Sequence, residues 1–192
     1  EHVYGPDREA YEYTHDGHRF VVRIQYSKFD SLFYSNFLEH YRRLYTARVR
    51  FESPVGWLQH PKDPSIQEPT HLLVTRFQEG TSLRELISKS KNTEFVEKLL
   101  PKIFYELGKL HGAGLQHGHP HFSNVIVNKD SGITLVDPKY LCNIDRHPPQ
   151  LPNPQSSFNF SKLTTHEGAL NDLNFIGISL VNHNLEEMAH SK

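Results

Sequence analysis

One run of residues restricts this chain more than any other. His117-Gly118-His119-Pro120-His121-Phe122-Ser123-Asn124 leads into two short β-rich runs, Val125 to Val127 and Ile133 to Val136. Between them lies Asn128-Lys129-Asp130-Ser131-Gly132, and after them comes Asp137. Apolar β-branched runs on either side of a polar segment ending in Gly predict a hairpin. A hairpin that leaves from Asn124 and returns to Asp137 sets an amide beside a carboxylate. Such oxygens suit a hard cation such as Mg²⁺, which keeps waters and binds through substrate phosphates. The plainer alternative is that Asn124 caps a turn and Asp137 opens a loop before Pro138.

The rest of the chain changes character part-way along. Ala10 to Thr14 and Arg19 to Tyr26 alternate about His15-Asp16-Gly17-His18, a hairpin signal. Phe33 to Ala47 has helical spacing, with Phe33, Phe37, Leu38, Tyr41, Leu44 and Tyr45 as its apolar set. Residues 53 to 70, with four prolines, read as loop around a short strand at Val55 to Leu58. His71 to Phe77 reads as a buried strand. Thr81 or Ser82 caps a short helix through Ile87. A longer helix over Thr93 to His111 carries Phe95, Leu99, Leu100, Ile103, Phe104, Leu107 and Leu110; Pro101 either kinks it or starts it. Arg146 to Pro154 is a Pro-rich loop, and a last helix, about His166 to Asn182, carries Leu170, Leu173, Phe175, Ile176 and Leu180. The tail from Glu186 is polar and frayed. This order predicts an α+β fold of two lobes: a β-rich N-lobe over residues 1–77 and a mostly helical C-lobe over 78–192, joined near 77–81.

Composition excludes some functions. The net charge of −1 gives no strong field toward nucleic acid or an anionic membrane. The 14 histidines would make the chain clearly positive below about pH 6. One cysteine, Cys142, excludes an internal disulfide framework and suits a reducing compartment. No apolar run approaches the roughly 20 residues of a membrane span. The chain opens with Glu1, which is compatible with trimming, and no signal peptide is visible. The expectation is a soluble, cytoplasmic protein.

Two further constellations carry chemistry. Arg23 ends a predicted strand, and Glu39 is the acid of the following helix. Paired, they would present a guanidinium suited to bidentate phosphate binding; otherwise Arg23 is an outward-facing strand arginine. His117, His119 and His121 alternate, so three imidazoles on one strand face, with Asp137, would suit Zn²⁺ or Fe²⁺. Gly118 and Pro120 disfavour such a strand. Gly5 alone precedes the first strand, so a phosphate-cradling Gly-rich loop is expected to be vestigial, truncated or not used.

These residues resemble the kinase-like fold and, within it, the bacterial lipopolysaccharide-core kinase family of Kdo and heptose kinases and their InaA-like relatives. The resemblance covers about residues 10 to 140. Phe20-Val21-Val22-Arg23 resembles the family's third strand, and Phe37-Leu38-Glu39 its acid-bearing helix. Thr75-Arg76-Phe77-Gln78-Glu79-Gly80 with Ser82-Leu83 resembles the hinge, and Leu110 to Gly118 the approach to the catalytic loop. Leu135-Val136-Asp137 resembles the metal-binding motif, although Pro138-Lys139 departs from Phe-Gly. The resemblance implies ATP and Mg²⁺ as cofactors, with Asn124 and Asp137 on the metal. It also implies Arg23, steadied by Glu39, on the phosphates, and Arg76, Phe77 and Gln78 beside adenine. His119 stands where active members keep Asp, so it would orient the acceptor hydroxyl, with His121 in reserve. The implied partners are a nucleotide and a sugar, glycolipid or protein acceptor, with no nucleic acid and no membrane span. The alternative is a pseudokinase acting as a nucleotide-sensing or protein-binding module.

Overall fold

Asp16 and Gly17, both at positive φ (48° and 74°), turn β1 (Glu9–His15) tightly into β2 (His18–Gln25). Two consecutive left-handed residues match the right-handed twist of a hairpin. The computed structural model describes residues 9–25, 36–59, 71–90, 93–145, 169–170 and 172–177. Within these, β3 (Pro54–Gln59) and β4 (His71–Arg76) complete an antiparallel sheet in the order β1-β2-β4-β3. Leu73 and Thr75 of β4 share the buried face, as the two-residue strand period requires.

Helix α1 (Phe37–Thr46) buries Phe37, His40 and Leu44, with Tyr41 packed against the core. Leu38 and Tyr45, counted in the apolar set by spacing, are 81% and 87% exposed. The stripe at 37, 40, 41 and 44 occupies the inner face, which turns 38 and 45 outward. Residues 26–35, where the predicted helix began, lie outside those described, as do Gly5, the Pro-rich loop and the tail.

The second half is built on α2 (Leu83–Ser90) and α3 (Thr93–Gly112). α3 runs through Pro101, whose ring is on the exposed side, and buries Val96, Leu99, Ile103, Leu107 and Leu110. Three short strands, β5 (Thr81–Ser82), β7 (Val125–Val127) and β8 (Ile133–Leu135), form a second sheet in the order β5-β7-β8. β6 (Leu115–Gln116) pairs with β9 (Cys142–Asn143). Gly80, at φ 145°, lets β5 pass β7; a Cβ there would strike the Val127 carbonyl and the Ile126 side chain.

One apolar core runs from Phe37, Leu44 and Leu73 through Phe51 to Leu83, Leu107, Val125, Leu135 and Ile176. Two seams join the halves. Glu52 N donates to Leu135 O at 3.0 Å and Leu135 N to Arg50 O at 2.9 Å, so residues 50–52 run beside β8. Arg43 of α1 donates through Nε to Ala113 O at 2.8 Å and through Nη1 to Asn143 Oδ1 at 2.7 Å. That arginine caps the end of α3, whose last carbonyls have no helical partner.

Candidate functional site

The predicted hairpin is present, with Val125 paired to Leu135 and Val127 to Ile133. Its open end brings Asn124 and Asp137 together. Asn124, buried at the end of the 3₁₀ turn Phe122–Asn124, donates through Nδ2 to His119 O at 3.0 Å and to Asp137 Oδ2 at 3.5 Å. Asp137 holds a left-handed backbone at φ 65°. An L-residue pays for that conformation unless its surroundings fix it, and such residues cluster at functional sites. The Asp137 amide is fixed by a hydrogen bond to Glu52 Oε1 at 3.0 Å.

Glu52 is the centre of the arrangement. It is 1% exposed, and its Oε2 meets Arg23 Nη2 at 2.9 Å. Arg23 Nη1 donates to Thr75 Oγ1 at 3.0 Å, and that hydroxyl donates to Glu52 Oε2 at 3.1 Å. Arg23 lies opposite Leu73 in the β2–β4 register, so Thr75, two residues on, is its diagonal neighbour on the same face. The planar guanidinium reaches both partners at once, which an ammonium could not do with the same geometry. Burial alone would lower the Arg23 pKa, but the Glu52 and Asp137 carboxylates hold it above its ordinary value. Burial pushes the Glu52 carboxyl up, against the pull of Arg23 and of the Asp137 amide and Thr75 hydroxyl.

The expected pairing of Arg23 with Glu39 is therefore corrected. Glu39 lies away from the buried stripe of α1, is about half exposed, and takes Arg42 on both oxygens at 2.9 and 3.1 Å. Arg23, Asn124 and Asp137 form one cluster through Glu52; Glu39 is outside it. Arg76, Phe77 and Gln78 lie where the chain leaves β4. The strand alternation turns Arg76 outward, Arg19 stacks 3.6 Å over the Phe77 ring, and Gln78 Nε2 returns to Arg76 O. Arg76 and Phe77 line an open groove with residues 17–20.

The three alternating histidines do not converge. His117 is fully buried and donates from Nε2 to Val136 O at 3.0 Å. His119 packs edge-on against His121, Tyr140 and Phe175, with ring centroids 4.3, 5.6 and 5.1 Å away. The His121 Nδ1 accepts from Ser123 N. Gly118, at φ 77°, breaks the strand that would have aligned them. Among the described residues no group of three metal-ligating side chains is gathered, so His117, His119, His121 and Asp137 do not form the cluster that their alternation suggests.

Asp172 is the other residue that sequence reasoning missed. On the last helical stretch (residues 169–170 and 172–177), Asp172 and Ile176 are fully buried while Leu170 and Leu173 are 54% and 40% exposed. The predicted apolar stripe is rotated because the acid faces in. Its Oδ2 accepts His117 N and its Oδ1 accepts Gly118 N, both at 2.8 Å, and His111 Nε2 lies 2.9 Å from Oδ2. The turn that carries His119 is thus pinned to the helix by a buried carboxylate. An acid one helical turn before an inward Ile was the only sequence signal.

The Asn124 amide, whose Nδ2 faces Asp137 Oδ2, and the Asp137 carboxylate carry hard oxygens of the kind that would hold Mg²⁺. No protein-family profile and no curated protein matches this chain. Among solved structures, WaaP in complex with acyl carrier protein has a similar fold, with a TM-score of 0.61 and 17% sequence identity. The match covers 93% of this chain and 70% of that one. The fold is kinase-like. The WaaP-like architecture agrees with the expected α+β arrangement of an antiparallel N-lobe sheet and helices. In all, 1570 solved chains match, so an architecture this common leaves activity to be argued from the site. No helix among the described residues is long and apolar enough to cross a membrane.

Proposed function

We propose that this chain is a small atypical phosphotransferase that uses ATP with Mg²⁺ and acts on a sugar hydroxyl of lipopolysaccharide type. The observation that carries the reading is the meeting of Asn124 and Asp137 at 3.5 Å, with Asp137 tied through Glu52 to Arg23. Mg-ATP would supply an activated phosphoryl group whose charge the cation neutralises; positioning and electrostatics do most of the rest. Asn124 and Asp137 hold the metal in this reading. Arg23 is a fixed positive charge beside them, locked by Glu52 and Thr75, and Arg76, Phe77 and Gln78 border the base. His119 orients the acceptor, with His121 behind it. Its carbonyl bonds to the Asn124 amide, so the two move together. The partners are a nucleotide and a small-molecule, glycolipid or protein acceptor, in the cytoplasm where ATP is available. That WaaP is found with acyl carrier protein supports keeping a protein partner in view.

The second reading, a pseudokinase, is favoured by one observation: the His119 ring is boxed by three other rings. Incubation with labelled ATP, Mg²⁺ and a panel of sugar acceptors separates the two. Transfer that is lost in Asp137→Ala supports the enzyme. Mg²⁺-dependent nucleotide binding with no transfer supports the pseudokinase, and absence of binding overturns both.

A further inference from the structure

The near-neutral total charge conceals a local concentration of cations. Along α3, Lys98, Lys102, Tyr105 and Lys109 recur at steps of three and four residues and so share one face. They cover about 16 Å of helix at 1.5 Å per residue. Lys102 Nζ donates to Ser131 O at 2.8 Å, in the turn between β7 and β8 where Lys129 is exposed. The Arg50 guanidinium lies against Gly132 of the same turn. Lys109 Nζ donates to Arg48 O at 2.5 Å. Three segments distant in sequence thereby merge into one surface bearing Arg48, Arg50, Lys98, Lys102, Lys109 and Lys129.

The acids nearby offset part of this charge: Glu94 stands four residues before Lys98 in the same series, Glu97 is exposed beside Lys98, and Asp130 shares the Gly132 turn with Arg50. Glu106 is buried, and its Oε2 takes Lys109 and the Arg50 amide. The Asp130 Oδ1 accepts from Gly132 N. Arg48, Arg50, Lys102 and Lys129 have no carboxylate partner among the described residues. Beside them, Tyr105 is 67% exposed under the Lys109 ammonium and Phe104 is 41% exposed. Cations on flexible stems around half-exposed aromatics are the composition of a surface that lies on a bilayer. Lysines outnumber arginines, four to two, which suits a diffuse field of headgroups better than forked recognition of one carboxylate.

We propose that this face, made of α3, the β7–β8 turn and residues 48–50, docks on an anionic membrane surface through lipid phosphates. The inference is independent of the phosphotransferase reading. It is tested by flotation of the whole chain with phosphatidylcholine vesicles, with and without phosphatidylglycerol. Binding should require the anionic lipid and weaken as salt rises. A cation near such a surface contributes roughly fivefold to binding, so the Lys102→Gln/Lys129→Gln double variant should lose about 25-fold. Arg50→Gln, at a second segment, should lose roughly fivefold. Melting curves matching the unmodified chain exclude misfolding as the cause. Equal partition onto both vesicles, no partition onto either, or unchanged variants overturn the proposal. Binding to polyglutamate in place of vesicles also overturns it, reassigning the face to an acidic protein.

Discussion

The carboxylate of Glu52 accepts the backbone amide of Asp137 at 3.0 Å, across 85 positions of sequence. Its other oxygen holds Arg23. A carboxylate just ahead of β3 therefore fixes the backbone of the candidate metal ligand just after β8. Removing it leaves a buried guanidinium and a buried amide without their acceptor. Breaking one side of a buried ion pair costs about 3–5 kcal/mol, so Glu52→Ala should lower the unfolding free energy by that order and move the urea midpoint down accordingly. Glu39→Ala, at the surface, should leave the midpoint almost unchanged. Equal losses in the two variants would contradict the assignment of Glu52 as the partner.

Asp172 supports the turn that carries His119. Asp172→Ala orphans the amides of His117 and Gly118, and each buried unsatisfied donor costs about 1–3 kcal/mol. The expected result is a loss of roughly 2–6 kcal/mol in unfolding free energy. Hydrogen exchange should also accelerate at His117 and Gly118 ahead of the α3 core. Unchanged protection at those two amides would show that Asp172 does not hold the turn.

Acid should affect the surface pairs in a defined direction. The Glu39 carboxyl, hydrogen-bonded to Arg42, and the Glu12 carboxyl, hydrogen-bonded to Arg19, are held below the ordinary carboxylate value. A lowered folded pKa gives stability that is present above the unfolded value and is lost as pH falls through the folded one. The stability difference between the unmodified chain and Glu39→Gln should therefore shrink on acidification through the carboxylate range. It should also shrink with added salt. A difference that grows on acidification would contradict the pairing with Arg42.

Gly118 sits at φ 77°, where an added Cβ would lie 2.7 Å from both the Tyr140 Cβ and the Tyr140 carbonyl oxygen. Gly118→Ala should cost about 1–3 kcal/mol through strain at a left-handed position, and displace Tyr140 from His119. Thermal melting measures the cost, and a neutral outcome would show that the turn relaxes.

Local signals made much of the fold legible. Asp16-Gly17 marked the first hairpin, the β-branched runs around Asn128 to Gly132 marked the second, and the 3.6-residue period of Leu99, Ile103, Leu107 and Leu110 marked α3. The juxtaposition of Asn124 and Asp137 follows from that second hairpin, because both residues belong to it. Glu52 was not legible. Its partners, Arg23, Thr75 and Asp137, lie on three separate elements, and no local periodicity records contacts at that range. Glu39 lies on the expected helix, yet helical phase puts it outside the stripe set by Phe37, His40 and Leu44. Asp172 reads as a surface acid until the two amides it serves are seen.

Titration calorimetry of ATP into the chain, with Mg²⁺ and with chelator, tests the central claim most directly. The account predicts binding that requires Mg²⁺ and weakens at least about tenfold, or about 1.4 kcal/mol, in both Asp137→Ala and Asn124→Ala. Binding that is indifferent to Mg²⁺ and to both substitutions, or no binding at all, would contradict it.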